Sequence, residues 1–361
     1  MKWSYRIGTV AGTEIKVHVT FLLLLAWYGF SAWRAEGASA ALASTLFLLA
    51  LFGCVVVHEF GHILMARRFG VRTPDVILLP IGGVARLERI PEEPRQELSI
   101  AIAGPVVTLV IATALWGWLR LTGQSVTLSA LTLERGAFVT RLMAVNLWLL
   151  AFNLLPAFPM DGGRMLRAAL ASRLGVLRAT RLAGTIGQML AVVMFLVGLR
   201  AGAELLALIA LFVFLGAGAE MSAVETRVIG QGLRVSEMMV TRFHTIPIHA
   251  TLAQVVDLLL SGEQREFPVV DNLGRTEGIL TRDNLLRGLR ERGPESIVAE
   301  AMTAPAPTVS PTLAFDEALH RLRSSGLPAL PVVDGGGALV GLLTMDNISE
   351  LLLVRRARAA R

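Results

Sequence analysis

Two histidines and one glutamate lie within five residues of each other in a segment that is otherwise apolar. His58, Glu59 and His62 form the pattern H-E-x-x-H. On a helix, residues four apart share one face, so both imidazoles can reach one metal ion while Glu59 lies beside its open coordination position. Ionisable side chains at the centre of a membrane-spanning helix cost about 2.5–3.5 kcal/mol each, and such groups usually serve a function. The cluster therefore predicts a metal site, with a chance match to a short pattern as the alternative.

Two histidines leave a catalytic zinc ion short of a ligand, because such sites use three protein ligands and a water. Asp161 is the candidate for the third, since it follows Pro156 and Pro159 at the end of another apolar segment. The prolines end the helix, and irregular backbone at membrane depth is tolerated only where it is buried or lines a cavity. The sequence predicts one Zn²⁺ per chain, bound by His58, His62 and Asp161. The alternative for Asp161 is an ordinary turn residue.

Long apolar segments must position these residues. Only 17% of the 361 residues are charged and the mean hydropathy is +0.61, whereas soluble domains are about 25% charged. A helix that crosses a bilayer needs roughly 20 apolar residues. We therefore predict a polytopic α-helical membrane domain with six spans. The six segments are Val17–Trp33, Ala38–Val57, Leu98–Leu119, Leu142–Met160, Leu182–Leu199 and Leu205–Ala219.

Basic residues predict the orientation of these spans. Fourteen lysines and arginines lie in the N-terminal segment and in the loops after the second and fourth spans, against five on the opposite side. Cytoplasmic loops are enriched in lysine and arginine, so the N-terminus is predicted to be cytoplasmic, and six spans return the C-terminus there. The second and fourth spans then both run inward. Their ends, which carry the H-E-x-x-H motif and Asp161, are predicted to meet on the cytoplasmic side of a multi-pass cell-membrane protein.

The C-terminal third of the chain repeats itself with an offset of 63 residues. Phe267–Asp271 recurs as Leu330–Asp334, and Gly278–Asn284 recurs as Gly341–Asn347. Each unit is typical of a helix, two strands and a second helix, and a lone unit of this kind cannot bury its apolar face, so two should pack together. The predicted organisation is a membrane domain at 1–225, a linker at 226–234 and a soluble α/β pair at 235–361, with repeats at about 235–290 and 298–354.

The two motifs, in this order on separate spans, resemble those of the site-2 protease family of intramembrane zinc metalloproteases. The matching segments are His58–His62 and Asn153–Gly162, and the resemblance covers nearly the whole chain. It is strongest to the bacterial and archaeal branch, whose members carry a C-terminal pair of cystathionine-β-synthase-type (CBS) domains. The resemblance implies the zinc ligands already named, with Glu59 as general base. It also implies that Asn153 helps to hold the substrate or the developing oxyanion.

Three lesser features fit the same family. Pro74–Ile90 is too short to span and too apolar for a plain loop; the resemblance implies that it re-enters the membrane and pairs with an extended substrate, and an interfacial loop is the alternative. Ala103–Pro105 is similar to a small-residue packing patch of the family, which close helix packing also explains. His18 opens the first span, either as an interfacial histidine or as a group that touches the site.

The resemblance to CBS domains implies an adenine nucleotide in the cleft between the repeats, with a Thr/Ser-x-x-Asp pattern on the ribose. The matching residues are Thr281 with Asn284 and Thr344 with Asn347, so both repeats carry asparagine where aspartate is usual. A neutral amide accepts ribose hydroxyls less strongly than a carboxylate does. Weak nucleotide binding is the prediction, with a purely structural dimerisation module as the alternative. A homodimer through this module is expected.

We predict an intramembrane zinc metalloendopeptidase that cuts single-span membrane proteins in regulated intramembrane proteolysis and whose activity a CBS module modulates. Membrane lipid is a further expected partner. Nucleic acid is excluded because the arginines are scattered, and one cysteine, Cys54, excludes disulfides within the chain and cysteine-based zinc fingers. The alternatives are a CBS-regulated transporter or channel, which would spread polar residues along a path, and an inactive protease-like scaffold, which would usually lack Glu59.

Overall fold

A computed structural model describes residues 3–80, 82–86, 93–123 and 137–359 of the chain. Its internal contacts divide the chain into two compact units, Met1–Val224 and Glu225–Arg361. The first unit combines a small sheet with long apolar helices, and the second is a repeated α/β unit.

In the part of the first unit that the structure describes, one sheet has four strands in the order β1-β2-β3-β4. β1 is antiparallel to β2, β2 is parallel to β3, and β3 is antiparallel to β4. A two-residue turn joins β1 to β2, and both its residues have positive φ, 47° at Ala11 and 73° at Gly12, as tight hairpins require. The strands are Ser4–Val10, Thr13–His18, Asp75–Leu79 and Gly82–Arg86.

The segment predicted to re-enter the membrane forms β3 and β4 in its described residues; residues 81 and 87–90 lie outside them. The N-terminal hairpin that completes the sheet was not expected from the sequence. β3 is buried on both faces, because Val76, Ile77 and Leu78 are all covered. Its four consecutive apolar residues are consistent with a buried strand as well as with a membrane segment.

The described residues of the first unit also form seven helices, the last of which continues into the second unit. They are α1 Val19–Glu36, α2 Ala38–Arg68, α3 Pro94–Leu121, α4 Phe138–Asn153, α5 Asp161–Leu174, α6 Val176–Arg200 and α7 Glu204–Gly230. Among the described residues, α2, α3, α6 and α7 are long and apolar enough to cross a membrane. The predicted first span corresponds to α1, with 18 residues, and the predicted fourth span to α4, with 16. Neither helix is among the four that are long and apolar enough to cross a membrane. The count of six spans therefore stays a prediction.

On α7, small residues are buried and several large apolar residues are exposed. Ala210 and Ala217 are buried, whereas Leu208 and Leu215 are exposed. A side chain at Gly61 of α2 would lie 2.7 Å from the Ala103 carbonyl oxygen of α3. Close approach through small residues is how helices associate in lipid, so this pattern supports a membrane environment for the unit.

His18 is the N-cap of α1. Its Nδ1 accepts the backbone N–H of Thr20 at 3.3 Å and lies 2.7 Å from the Thr20 hydroxyl. The side chain thus satisfies one of the free donors at the start of the helix, which accounts for this histidine without a part in the chemistry. α7 continues beyond Val224, the last residue of the first unit, to Gly230, so residues 226–230 of the predicted linker are helical.

The second unit repeats one arrangement twice, as the sequence predicts. Its elements are α8 Val235–Met238, β5 Ile246–Pro247, α9 Leu252–Ser261, β6 Glu266–Val270, β7 Thr276–Thr281, α10 Arg282–Arg292, a 3₁₀ turn at Val298–Glu300, α11 Phe315–Ser325, β8 Ala329–Val333, β9 Leu339–Thr344 and α12 Met345–Ala359. The β6–β7 and β8–β9 pairs share one register, with Phe267 opposite Leu280 and Leu330 opposite Leu343. The unit has two apolar cores: one lies within residues 246–298, and the other combines Leu233, Val235 and Met238 from the start of the unit with residues 309–348 of the second repeat.

Candidate metal centre

The three predicted ligands come together in the first unit. α2 carries His58 and His62 one turn apart, and Asp161 is the first residue of α5. All three are buried, with 4%, 7% and 7% of their surface exposed. Each offers one ligand atom, and these atoms lie within 4.8 Å of one another.

The distances between the ligand atoms suit a tetrahedral metal ion. The Nε2 atoms of His58 and His62 are 3.2 Å apart. Asp161 Oδ2 lies 3.2 Å from the first and 3.1 Å from the second. Zinc bonds to nitrogen and oxygen of about 2.0–2.1 Å in tetrahedral geometry place neighbouring ligand atoms about 3.3 Å apart. The triangle of donor atoms therefore has nearly the size that zinc requires.

Hydrogen bonds to the other ring nitrogens leave the Nε2 lone pairs free for a metal. His62 Nδ1 lies 2.7 Å from the Ile100 carbonyl oxygen, which can only accept, so this nitrogen carries the proton. His58 Nδ1 lies 2.8 Å from the Thr108 hydroxyl, which in turn donates to the Gly104 carbonyl oxygen at 3.4 Å. Three electron-rich atoms then face one another in a buried space. Three lone pairs that face one another repel unless a cation lies between them, so the donor set fits a zinc ion. The hydrogen-bond partners that orient the two ligand histidines, Thr108 and the Ile100 carbonyl, are also present.

Gly104 of α3 lies against both imidazoles. A Cβ at this position would be 2.1 Å from His62 Nε2 and 2.8 Å from His58 Cε1. In the sequence, Gly104 belongs to a small-residue packing patch. In the structure, a glycine is needed there because any larger side chain would collide with the two histidine rings. It allows the α3 backbone to approach the site closely enough for Ile100 and Thr108 to reach the rings.

Glu59 lies half-buried next to β4. A Cβ at Gly83 would be 2.8 Å from Glu59 Cγ and 3.1 Å from its Oε1. β4 is the last strand of the sheet order. Among the described residues, β4 pairs with one strand, β3, so the predicted base lies beside a strand at the edge of the described sheet.

Asn153 is the last residue of α4, and the turn that follows leads directly to Asp161. That turn packs tightly on the start of α5, since a Cβ at Gly163 would lie 2.6 Å from Ala157 C and Phe158 N. Ala157 and Phe158 are fully buried. A tightly packed turn lies where the two prolines predict one, and the role of Asn153 stays a prediction.

The four predicted nucleotide contacts occupy equivalent places in the two CBS-like repeats. Thr281 and Thr344 each accept the backbone N–H of the asparagine three residues on, which caps the helix that follows. Asn284 Nδ2 donates to Thr303 Oγ1 at 3.0 Å, and Asn347 Nδ2 donates to the Met238 carbonyl oxygen at 2.5 Å. These side chains therefore serve local structure, and each amide keeps its oxygen as an acceptor.

Sequence reasoning missed the partners of the histidines. A backbone carbonyl such as that of Ile100 leaves no trace in the residue type. Thr108 is a polar residue in an uncharged span, and that signal could have identified it.

Comparison with known proteins gives two family matches. The model of peptidase family M50 matches residues 46–135 and 128–197, and the CBS-domain model matches residues 235–291 and 298–354. Zinc metalloprotease MJ0392 of Methanocaldococcus jannaschii is 33% identical over 98% of this chain and 97% of its own length. The solved structure of a site-2 protease from the same organism is 37% identical, covers 61% of this chain and 95% of its own, and has a TM-score of 0.46.

Proposed function

Because the chain belongs to peptidase family M50, we propose that His58, His62 and Asp161 hold the zinc ion with which it hydrolyses peptide bonds in membrane-protein substrates. The observation that carries this assignment is the buried triangle of donor atoms, 3.1–3.2 Å on each side, in a unit whose described residues include four membrane-capable helices. The chain is an intramembrane zinc metalloprotease with a C-terminal CBS pair. Membership of a peptidase family does not support the transporter or channel alternative.

Within this site, Glu59 is the proton carrier. When bound, zinc supplies Lewis acidity, which activates water and polarises the scissile carbonyl. Glu59 accepts the proton that the attacking water loses and delivers it to the nitrogen of the leaving amine, so the peptide bond is replaced by a carboxylate and an amine. Its neighbour Gly83 leaves room for the carboxylate to move between these two positions, because a side chain there would touch it.

The substrate binds as an extended strand along β4. A helical peptide bond is shielded by its own turn, so a membrane-spanning substrate must unwind before it is cut. β4 is at the end of the sheet and lies beside Glu59, so a strand added at its edge would bring a peptide bond to the base. Asn153 holds the substrate or the developing oxyanion. Single-span membrane proteins, in regulated intramembrane proteolysis, are the proposed substrates.

The six-span arrangement with both termini in the cytoplasm belongs to this proposal. The excess of basic residues in the segments around the ends of α2 and α5 supports it. Water and the soluble parts of substrates then reach the zinc site from the cytoplasmic side. Residues 1–225 form the membrane domain and 235–361 the CBS domain.

The CBS pair is proposed to bind an adenine nucleotide weakly, to modulate cleavage and to support a homodimer. Weak binding follows from the two asparagines: each side-chain amide already uses one N–H on a protein partner, and its oxygen is a neutral acceptor, weaker than a carboxylate towards ribose hydroxyls. A ligand shifts the activity only by its different affinity for two states of the enzyme. Titration of the full-length protein with ATP, ADP and AMP tests this, and the absence of binding at millimolar concentration together with unchanged cleavage would leave a dimerisation element.

Glu59→Gln tests the proteolytic assignment. The amide is close in shape to the carboxylate, is not a ligand and cannot take up a proton, so zinc content should remain at one per chain while cleavage is abolished. Zinc is measured on the purified protein, and cleavage is measured on a co-expressed single-span substrate. Normal cleavage by this variant would contradict the mechanism. If the wild-type protein binds zinc and cuts no membrane protein, the chain is the inactive scaffold considered above.

A further inference from the structure

A buried ion cluster lies behind the zinc site. Arg167 of α5 has 2% of its surface exposed, and Glu97 of α3 has 8%. Arg167 Nε donates to Glu97 Oε1 at 2.7 Å, and its Nη2 donates to the same oxygen. Its Nη1 lies 3.4 Å from Oε1 of Glu220 on α7. One guanidinium therefore joins three helices.

Both anchored helices carry parts of the metal centre. Glu97 lies one turn before Ile100, whose carbonyl oxygen holds His62 Nδ1. Arg167 lies on α5, the helix that begins with Asp161. The ion pair thus connects the support of one ligand to the helix that presents another. A shift of α5 along α3 would change the distance between Asp161 and the two histidines.

The same guanidinium also contacts the turn that leads into the site. Arg167 Cζ lies 5.1 Å from the centroid of the Phe158 ring, and this ring is fully buried three residues before Asp161. A cation over an aromatic face is attracted by the ring. Arg167 therefore holds both sides of Asp161, the turn before it and the helix after it.

A buried ion pair adds little to the stability of the fold, so stability alone does not explain this cluster. Desolvation offsets most of the attraction in a buried ion pair, and well-packed apolar residues in its place are often as stable or more so. A guanidinium, however, has a planar fork of donors that fixes orientation, which neither apolar residues nor lysine can do. The geometry favours a role in orientation.

We propose that Arg167 is a positioning residue, which sets Asp161 against His58 and His62 by locking α5 to α3 through Glu97. The inference rests on the proposed function, since it takes these three residues to be the zinc ligands. Glu97 is the main anchor because it accepts two donors and is buried. Glu220 is the weaker anchor because its contact is longer and its side chain is 25% exposed.

Zinc affinity of the full-length protein in lipid nanodiscs tests the proposal, by competition with a fluorescent chelator. Arg167→Met and Glu97→Gln are expected to weaken zinc binding about tenfold or more, as losses of outer partners do at zinc sites. Glu220→Gln should have a smaller effect, and Arg167→Lys an intermediate one. The matched control is Arg173→Met, which removes an exposed arginine from the same helix.

The absorption spectrum of the Co²⁺-substituted protein reports ligand geometry independently of activity. It should change in Arg167→Met and Glu97→Gln and stay the same in Arg173→Met, while the thermal midpoint checks that each variant is folded. If folded Arg167→Met and Glu97→Gln bind zinc like the wild type with an unchanged Co²⁺ spectrum, the proposal is wrong. If neither Arg167→Met nor Glu97→Gln folds, Arg167→Lys replaces them, because lysine keeps the charge and loses the planar set of donors. Wild-type zinc affinity and an unchanged Co²⁺ spectrum in this variant would then show that the proposal is wrong. Failure of the wild-type protein itself to bind zinc would instead overturn the ligand assignment.

Discussion

The Nδ1 atom of His58 lies 2.8 Å from the hydroxyl oxygen of Thr108, and the same hydroxyl donates to the Gly104 carbonyl oxygen at 3.4 Å. A neutral hydroxyl that donates to a carbonyl must accept from the imidazole. This relationship fixes the tautomer of His58 with Nε2 free, and it comes from α3, a helix that carries none of the three predicted ligands. The metal centre therefore depends on the packing of α3 against α2 as much as on the motif.

Thr108→Val tests that dependence. Valine keeps the branched shape and removes the acceptor, so His58 loses its orienting partner and zinc affinity should fall by about 10–100-fold. Thr108→Ser keeps the hydroxyl and is the matched control, with affinity close to that of the wild type. Both are measured by chelator competition on the purified protein. Equal affinities of the valine and serine variants would show that the hydroxyl does not orient the ring.

Gly104→Ala should abolish zinc binding. The added methyl group would lie 2.1 Å from His62 Nε2, which is closer than van der Waals contact allows. If α3 moved away to relieve this clash, the hydrogen bonds of Ile100 and Thr108 to the two histidines would be lost. Gly117→Ala is the control on the same helix, because a Cβ there meets nothing within 4 Å. Zinc content per chain distinguishes the two. Full zinc occupancy in Gly104→Ala would mean that the helix pair adjusts more freely than its packing indicates.

Replacing Asp161 should affect zinc binding, whereas replacing Asn153 should affect the cleavage rate. Asp161→Ala removes a ligand and should lower zinc occupancy sharply. Asn153→Ala should keep zinc and slow cleavage by about 10²–10³-fold in kcat if its amide donates to the developing oxyanion. Zinc content and single-turnover cleavage are measured on the same preparations. A loss of zinc in Asn153→Ala would place this residue near the metal, and retention in Asp161→Ala would move the third ligand elsewhere.

The sequence predicts those parts of the site that lie close together along the chain or repeat within it. His58 and His62 are four residues apart, and helix periodicity alone places them on one face. The CBS repeats are visible because the same residues recur at a fixed offset. Asp161 is separated from His62 by 99 residues, and only the argument from span direction brought the two together.

The rest depends on pairings that no local pattern marks. Arg167 and Glu97 are 70 residues apart, and each alone is consistent with an ordinary basic or acidic residue near a membrane surface. The β1–β2 hairpin joins a parallel partner, β3, from beyond two long helices. Strand alternation in β1 gives a weak signal, since most of its residues are exposed. Such contacts are decided by tertiary packing.

Glu266 offers a test of the second unit by pH. Burial, with the nearby charge of Asp346 as the second cause, raises the pKa of the Glu266 carboxyl above its ordinary value. An acid whose folded pKa is raised destabilises the fold when it is ionised, so stability should increase as the pH falls through the folded pKa towards the unfolded value. Glu266→Gln should remove this pH dependence and raise the thermal midpoint at pH 7, where the wild-type carboxyl is ionised. Calorimetry at pH 5 and pH 7 measures the thermal midpoints of the wild type and the variant. A lower midpoint in the variant than in the wild type at pH 7 would contradict a raised pKa of Glu266.

The orientation of the chain can be tested with reporter fusions. Fourteen basic residues on the predicted inner side against five on the outer side predict that the end of α2 and the start of α5 lie in the cytoplasm. A reporter fused after residue 361 should therefore read cytoplasmic, and one fused near residue 135, between α3 and α4, should read external. The result for 135 matters most, because α1 and α4 are the predicted spans that lie outside the set of described helices long and apolar enough to cross a membrane. A cytoplasmic reading there would mean that α3 does not end outside, and α4 could not then bring Asp161 to the side on which α2 presents the two histidines.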